Sequence, residues 1–192
     1  MTVRVMLVAP AVGGELREAR FGADRPLAEA ELTPVRARTA PPATTVLSAP
    51  SPRCRQTAEA LGLTAAVEPA LADAEAGSWR GRALAEVAAT DPAAVQSWLG
   101  DAEFAPPGGE SVTALCARLG RWLGSLEDGS VLAVAEPAAI RAALVHALDL
   151  PPAAFWRLDV APLTVTRLSG RAGRWNLRTG APLPQGVEGQ LP

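Results

Sequence analysis

Few residues in this 192-residue chain have side chains suited to chemistry on their own. His146 is its only histidine, and Cys54 and Cys116 are its only cysteines. One histidine with no cysteine cluster makes no metal site, since zinc and similar ions need three or four such ligands. No metal or other cofactor is expected. Cys54 lies between Arg53 and Arg55 at the start of a helical stretch, and both features lower a thiol pKa. A packed thiol is the favoured reading, because free cysteine is among the most buried residue types. Cys116 falls on an apolar helical stripe and reads as core. His146 stands ten residues beyond Glu136 on the same expected helix, roughly 15 Å along its axis at 1.5 Å per residue. It cannot serve the strand end that precedes that helix. Trp79 and Trp156 read as packing residues, with a pocket wall as the lesser reading of Trp79.

The elements that would position these residues alternate between strand and helix. Val3 to Val8 is an apolar run ended by Pro10, as a buried strand would be. A loop rich in Gly, Arg and Asp follows from Gly13 to Pro26, then a weak helix from Leu27 to Thr39 interrupted by Pro34. Thr44 to Ser48 reads as a strand, Pro52 to Leu61 as a helix with proline in its first turn, and Ala65 to Glu68 as a third short strand. Asp91-Pro92 splits Leu84 to Leu99 into two short helices, because proline disfavours helix in the residue before it. Val112, Leu115, Cys116, Leu119, Trp122, Leu123 and Leu126 form one helical stripe, with Ser111 as its N-cap. Val131 to Ala135 is a strand and Pro137 to Leu148 a helix. Leu163 to Leu168 and Arg174 to Leu177 read as an antiparallel pair. The expected fold is a three-layer α/β sandwich, a mostly parallel central sheet with helices on both faces. Residues 1–180 would form its single domain. Residues 181–192, rich in proline and glycine, would be a mobile tail.

Composition narrows the function classes. A net charge of −2 gives no electrostatic case for nucleic acid or an anionic membrane. All 18 basic residues are arginine, a bias best explained by GC-rich, bacterial-type coding. The N-terminal apolar run is too short to span a bilayer and lacks the flanks of a secretion signal. Two cysteines make no disulfide framework, and a cytoplasmic location is expected.

Several segments resemble the histidine phosphatase (phosphoglycerate mutase-like) superfamily. Ser48-Ala49-Pro50-Ser51-Pro52-Arg53-Cys54-Arg55-Gln56-Thr57-Ala58 is similar to that family's "SSPLxRAxQTA" stretch. Gly77-Ser78-Trp79-Arg80-Gly81 is similar to "GxWEG", and Pro107-Gly108-Gly109-Glu110-Ser111 to "PGGES". Val131 to Arg141 is similar to "VLVVSHGGVIRA", and Gly22 to Leu27, with Asp24, to "D-PLT". The resemblance implies the family's fold. It also implies a catalytic centre that this chain has lost. Where the family has Arg-His-Gly-Glu-Thr, the residues are Ala9-Pro10-Ala11-Val12-Gly13, and the attacking histidine is replaced by Pro10. Proline's only nitrogen is a tertiary amide and cannot attack phosphorus. The second family histidine is replaced by Glu136.

Two family positions survive under this resemblance. Arg53 matches a phosphate-pocket arginine, whose planar fork suits bidentate recognition of oxygens. Asp73 matches the proton donor, with Glu75 a weaker candidate. Glu136 reads equally as a salt-bridge partner of Arg53 and as a ligand contact. Arg17, Arg20 and Arg25 fall in the loop that borders substrate in the family, although solvated loop arginine is their default reading. The expected pocket holds Arg53, Asp73 and Glu136, with Arg20, Arg25 and Trp79 as further contacts. A unit charge pair near 4 Å interacts by roughly 4 kcal/mol at an effective dielectric of about 20. A carboxylate in place of a cationic imidazole therefore repels phosphate on that scale. The leading expectation is a pseudoenzyme that binds or regulates, its partner an unidentified small molecule or protein, with a homodimer as one option. The alternative is a hydrolase using Asp73 and Glu136 as acid and base. Residual phosphatase activity is the least favoured.

Overall fold

The computed structural model describes residues 2–13, 19–22, 25–171 and 173–186. Six strands form one sheet in the order β3-β2-β4-β1-β5-β6: β1 (Val3–Val8), β2 (Thr45–Ser48), β3 (Ala66–Val67), β4 (Gly129–Val134), β5 (Thr164–Arg171) and β6 (Arg174–Pro182). The pairings β3-β2, β2-β4 and β4-β1 are parallel, whereas β1-β5 and β5-β6 are antiparallel. The sheet is parallel through the strands that carry the family-like segments, as expected, and mixed as a whole. β5 runs antiparallel beside β1, and β6 returns antiparallel to β5 at the edge of the sheet.

The two central strands are apolar on both faces, as strands covered on both sides must be. Val5, Leu7 and Val8 of β1 and Leu132, Ala133 and Val134 of β4 are all buried. Flanking them are α1 (Glu29–Arg36), α2 (Pro52–Ala60), α3 (Leu84–Thr90), α4 (Pro92–Gly100), α5 (Val112–Ser125) and α6 (Pro137–Ala147). α1 packs on α2, and α5 on α6. Helix starts follow local chemistry. Ser111 Oγ accepts from Ala114 N at 3.1 Å, and Asp91 Oδ1 from Ala94 N at 2.9 Å. Each thereby satisfies an N–H that has no partner inside its helix. The stripe from Val112 to Leu123 on α5 is buried as its spacing requires.

Parallel register then places three loops side by side. Ser48 of β2 and Val8 of β1 both pair with Val134 of β4, so the three strands end level. The segments that follow, Ala49–Arg53, Ala9–Val12 and Ala135–Ala138, emerge at one edge. Ligands in open α/β sheets bind outside this carboxyl edge.

A second region closes that edge from above. Gly77 has φ +52°, and a Cβ there would lie 2.2 Å from Pro107 O; a Cβ at Gly109 would lie 2.5 Å from Glu75 O. Only glycine allows these two backbones to approach so closely. Ser78 N donates to Pro107 O at 2.9 Å and Glu110 N to Glu75 O at 2.7 Å, so the "GxW" and "PGGES" segments meet as one unit.

The boundary expected at residue 180 falls inside β6, which runs to Pro182, and Leu183 beyond it is buried. Gly186 N donates to Ala37 O at 2.8 Å, so the start of the expected mobile tail packs on the domain. Residues 187–192 lie outside the described residues. Among the described residues, no helix is long and apolar enough to cross a membrane.

Candidate binding site at the carboxyl edge of the sheet

Glu136 lies two residues beyond the end of β4 and occupies the N-cap position of α6, but its side chain caps no helix N–H. It turns instead toward α2. Arg53 Nε donates to Glu136 Oε1 at 3.1 Å, and Arg53 Nη2 donates to Oε2. The Ser51 hydroxyl and, at 3.4 Å, the Cys54 thiol also donate to Oε1. Ser51 can do so because it caps α2, where its Oγ accepts from Cys54 N at 3.3 Å. The Glu136 carboxylate is only 2% exposed and the Arg53 side chain 14%. Such a pair persists only when its geometry and added hydrogen bonds offset desolvation, and Arg53, Ser51 and Cys54 together supply them here. Burial works against the charge on Arg53, but the Glu136 hydrogen bonds and charge outweigh it and raise its pKa. Burial, then the Glu136 charge, pushes the Cys54 thiol well above its usual range. Cys54 is a packed, un-ionised thiol.

Pro10 shares the cleft lining with Arg53, together with Ala9 and Ala11. Ala11 N donates to Thr57 Oγ1 at 3.1 Å, which ties the end of β1 to α2. His146 lies far along α6, its ring so close to α5 that a Cβ on Gly120 would sit 2.5 Å from it.

Asp73 reaches the cleft from a loop held by Arg118 of α5. Arg118 Nη1 donates to Ala70 O at 2.8 Å and Ala72 O at 3.2 Å, and Nη2 to Asp73 O at 3.1 Å. Glu110 fixes that arginine through Nη2 at 2.7 Å. The Asp73 carboxyl accepts from Ala74 N at 2.9 Å and forms no hydrogen bond with Arg53. Although Asp73 is exposed at the mouth, protein surrounds its carboxyl in the concave cleft. Desolvation, then the Glu136 charge, pushes its pKa up to about 6 from 3.8. An acid with a raised folded-state pKa binds its proton more tightly folded than unfolded, so its ionisation opposes folding. The Asp73 contribution to stability should fall as pH climbs from about 4 to about 6 and stay level above that range. Asp73→Asn is expected to raise Tm modestly at neutral pH, with the gain shrinking as the pH falls through this window. Thermal unfolding of both proteins across pH checks this; a pH-independent difference would sink it.

The cleft itself has a volume of about 580 Å³, within the range of small-molecule sites. Arg20, Arg53, Asp73 and Glu75 line it. Arg20 Nη1 donates to Gly81 O at 3.1 Å and lies 3.6 Å from Glu86 Oε1. Arg25 is exposed and is not part of the lining, a correction to its expected place there. Trp79 is buried behind the cleft and does not form the wall. Arg17 and Asp24 lie outside the described residues. Glu136 faces a second groove, about 490 Å³, which also touches Ser51 and Asp73.

Two parts of the lining go beyond the sequence-based expectation. Arg141 joins Pro137 and Ala138 on the face of α6 toward the cleft; their spacing at i, i+1 and i+4 is the available signal. The aromatic wall of Phe21, Trp98, Phe155 and Trp156 draws on distant segments and has no local signal. Among the described residues, no group of three or more His, Cys, Asp or Glu side chains could hold a metal ion.

A mixed sheet flanked by helices, with its cleft at the ends of β1, β2 and β4, defines a phosphoglycerate mutase-like α/β protein. The chain belongs to the histidine phosphatase superfamily (branch 1), whose family model matches residues 23–181. It is 34% identical over 130 residues to the bifunctional protein Rv2228c of Mycobacterium tuberculosis, a match covering 62% of this chain. That match covers 36% of the relative, so the chain spans about a third of the length of the curated relatives it matches. The mycobacterial glucosyl-3-phosphoglycerate phosphatase Rv2419c superposes with a TM-score of 0.78 at 26% identity, over 92% of this chain and 97% of that one. The alpha-ribazole phosphatase of Shigella flexneri superposes at 0.80 and 18% identity, over 97% and 100% of the two chains. At that identity it shares the fold alone.

Proposed function

We propose that this protein is a pseudoenzyme: a histidine phosphatase fold kept as a ligand-binding or regulatory module without phosphohistidine chemistry. One observation carries the reading. The Arg53 fork that would hold phosphoryl oxygens is already engaged by the Glu136 carboxylate, an internal anion seated where the family places a histidine. Pro10 on the same lining has no nitrogen to accept a phosphoryl group. The phosphatase activities of its structural relatives are therefore not carried over. Two free cysteines support the cytoplasmic location proposed with this reading.

The alternative, an acid–base hydrolase, needs two carboxylates with separated pKa values facing one cleft. Asp73 meets part of that requirement, but Glu136 is buried with its oxygens taken by Arg53, Ser51 and Cys54. The decisive experiment is p-nitrophenyl phosphate turnover, with calorimetric titration of phosphate and vanadate and an active mutase run alongside. No release above buffer and no heat of binding are expected. A trapped phosphoenzyme on any cleft residue would overturn the reading.

A further inference from the structure

The chain has eight aromatic residues, five Trp and three Phe, and no Tyr. Six of them form one continuous belt. Ring centroids lie 5.2 Å apart for Phe21–Trp79, 5.3 Å for Phe21–Trp98, 6.2 Å for Trp79–Phe104, 4.4 Å for Trp98–Trp156 and 5.0 Å for Phe155–Trp156. Trp79 is buried and Phe104 packs with it at the rear, whereas Phe21, Trp98, Phe155 and Trp156 reach the cleft. Phe21, Trp98 and Trp156 are partly buried. The small apolar residues Ala9, Pro10 and Ala11 share the lining.

One cation shares this wall. The Arg141 guanidinium carbon lies 5.7 Å from the Phe155 ring centroid, within cation–π range. Among the described residues Arg141 has no hydrogen-bond or salt-bridge partner, and its Nε is buried without one. The other charges around the cleft are engaged: Arg53 by Glu136, Glu75 by Arg80, Glu110 by Arg118, and Arg20 by Gly81 O. Asp73 and Asp159 remain on the lining and would repel a second negative charge. A guanidinium with free donors among rings selects an anion with a planar body. The two carboxylates and the engaged Arg53 restrict that anion to one charge.

We propose that the cleft takes a flat aromatic monocarboxylate, its ring against Trp98 and Trp156 and its carboxylate on Arg141. This rests on the reading of the cleft as a binding module. A guanidinium fork meets a carboxylate through two parallel N–H···O bonds, and a cleft of this size encloses a two-ring molecule.

Four probes of one shape test it by tryptophan fluorescence and calorimetry: naphthoate, naphthalenemethanol, naphthylmethylammonium and naphthyl phosphate. Naphthoate is expected to bind at least about tenfold tighter than each of the others, about the contribution of one charged hydrogen bond. Arg141→Met is expected to remove that preference while leaving naphthalenemethanol unchanged. Equal binding of acid and alcohol, tighter binding of the ammonium, an indifferent Arg141→Met, or no binding of any probe overturns the proposal. If the variant does not fold, the ranking on the unaltered protein decides alone. Release of naphthol from naphthyl phosphate would instead defeat the pseudoenzyme reading, so the two failures are separate.

Discussion

Replacing Glu136 by glutamine is expected to give the cleft an affinity for phosphate and vanadate that it otherwise lacks, a gain of about 100-fold. The carboxylate opposes an incoming oxyanion in two ways. It occupies both the Nε and Nη2 donors of Arg53, and it places a full negative charge where the guest's charge would sit. Unit charges near 4 Å interact by roughly 4 kcal/mol at an effective dielectric of about 20. The glutamine amide removes the charge but still accepts one hydrogen bond, and the cleft is open to water on one side. About 3 kcal/mol of the effect should survive, which is about 100-fold in Kd. Arg53 also lines the open cleft, so a freed guanidinium has access to a guest. Binding should appear without turnover, because Pro10 still provides no nucleophile. Calorimetry on Glu136→Gln, with thermal unfolding to confirm that it folds, measures this directly. A folded variant with unchanged vanadate affinity would show that Glu136 is not what silences the pocket.

Features of the fold that depend on local chemistry are legible in the sequence. Asp91-Pro92 splits α3 from α4 because the aspartate caps one helix as the proline opens it. The α5 stripe is buried because helical spacing puts those residues on one face. The glycines at 77 and 109 can be read as motif members, but their cause is tertiary: two backbones from separate segments pass within contact distance. Glu136 is legible as a departure from the family pattern that suits either a salt bridge to Arg53 or a ligand contact. The geometry favours the salt bridge. Features assembled from afar are not legible. The β5-β6 hairpin joins antiparallel to β1 across the whole chain, and the aromatic belt gathers residues from Phe21 to Trp156. Arg141 lies inside a family-like segment, yet its significance comes from donors left free by its neighbours in space, which no spacing reveals.

The second large effect concerns stability. Arg53→Met alone is expected to lower the free energy of unfolding by about 3–5 kcal/mol, because it leaves the Glu136 carboxylate buried and unpaired, and Glu136→Leu to lower it by less, because Arg53 lines the open cleft. The double variant Arg53→Met, Glu136→Leu should lie within about 1 kcal/mol of the original, since an apolar pair of similar volume avoids desolvating either ion. Urea unfolding of the four proteins closes the cycle. The α2 cap is not lost with Glu136, because Ser51 Oγ still accepts from Cys54 N; the coupling therefore reports the pair and not the helix. Additive losses in the double variant would mean that the two charges do not depend on each other. Strong coupling would mean that the arginine suited to phosphate is held by the fold itself. A guest anion could then recruit Arg53 only by meeting the cost of stranding Glu136, which is why Arg141 is the cation left for a ligand.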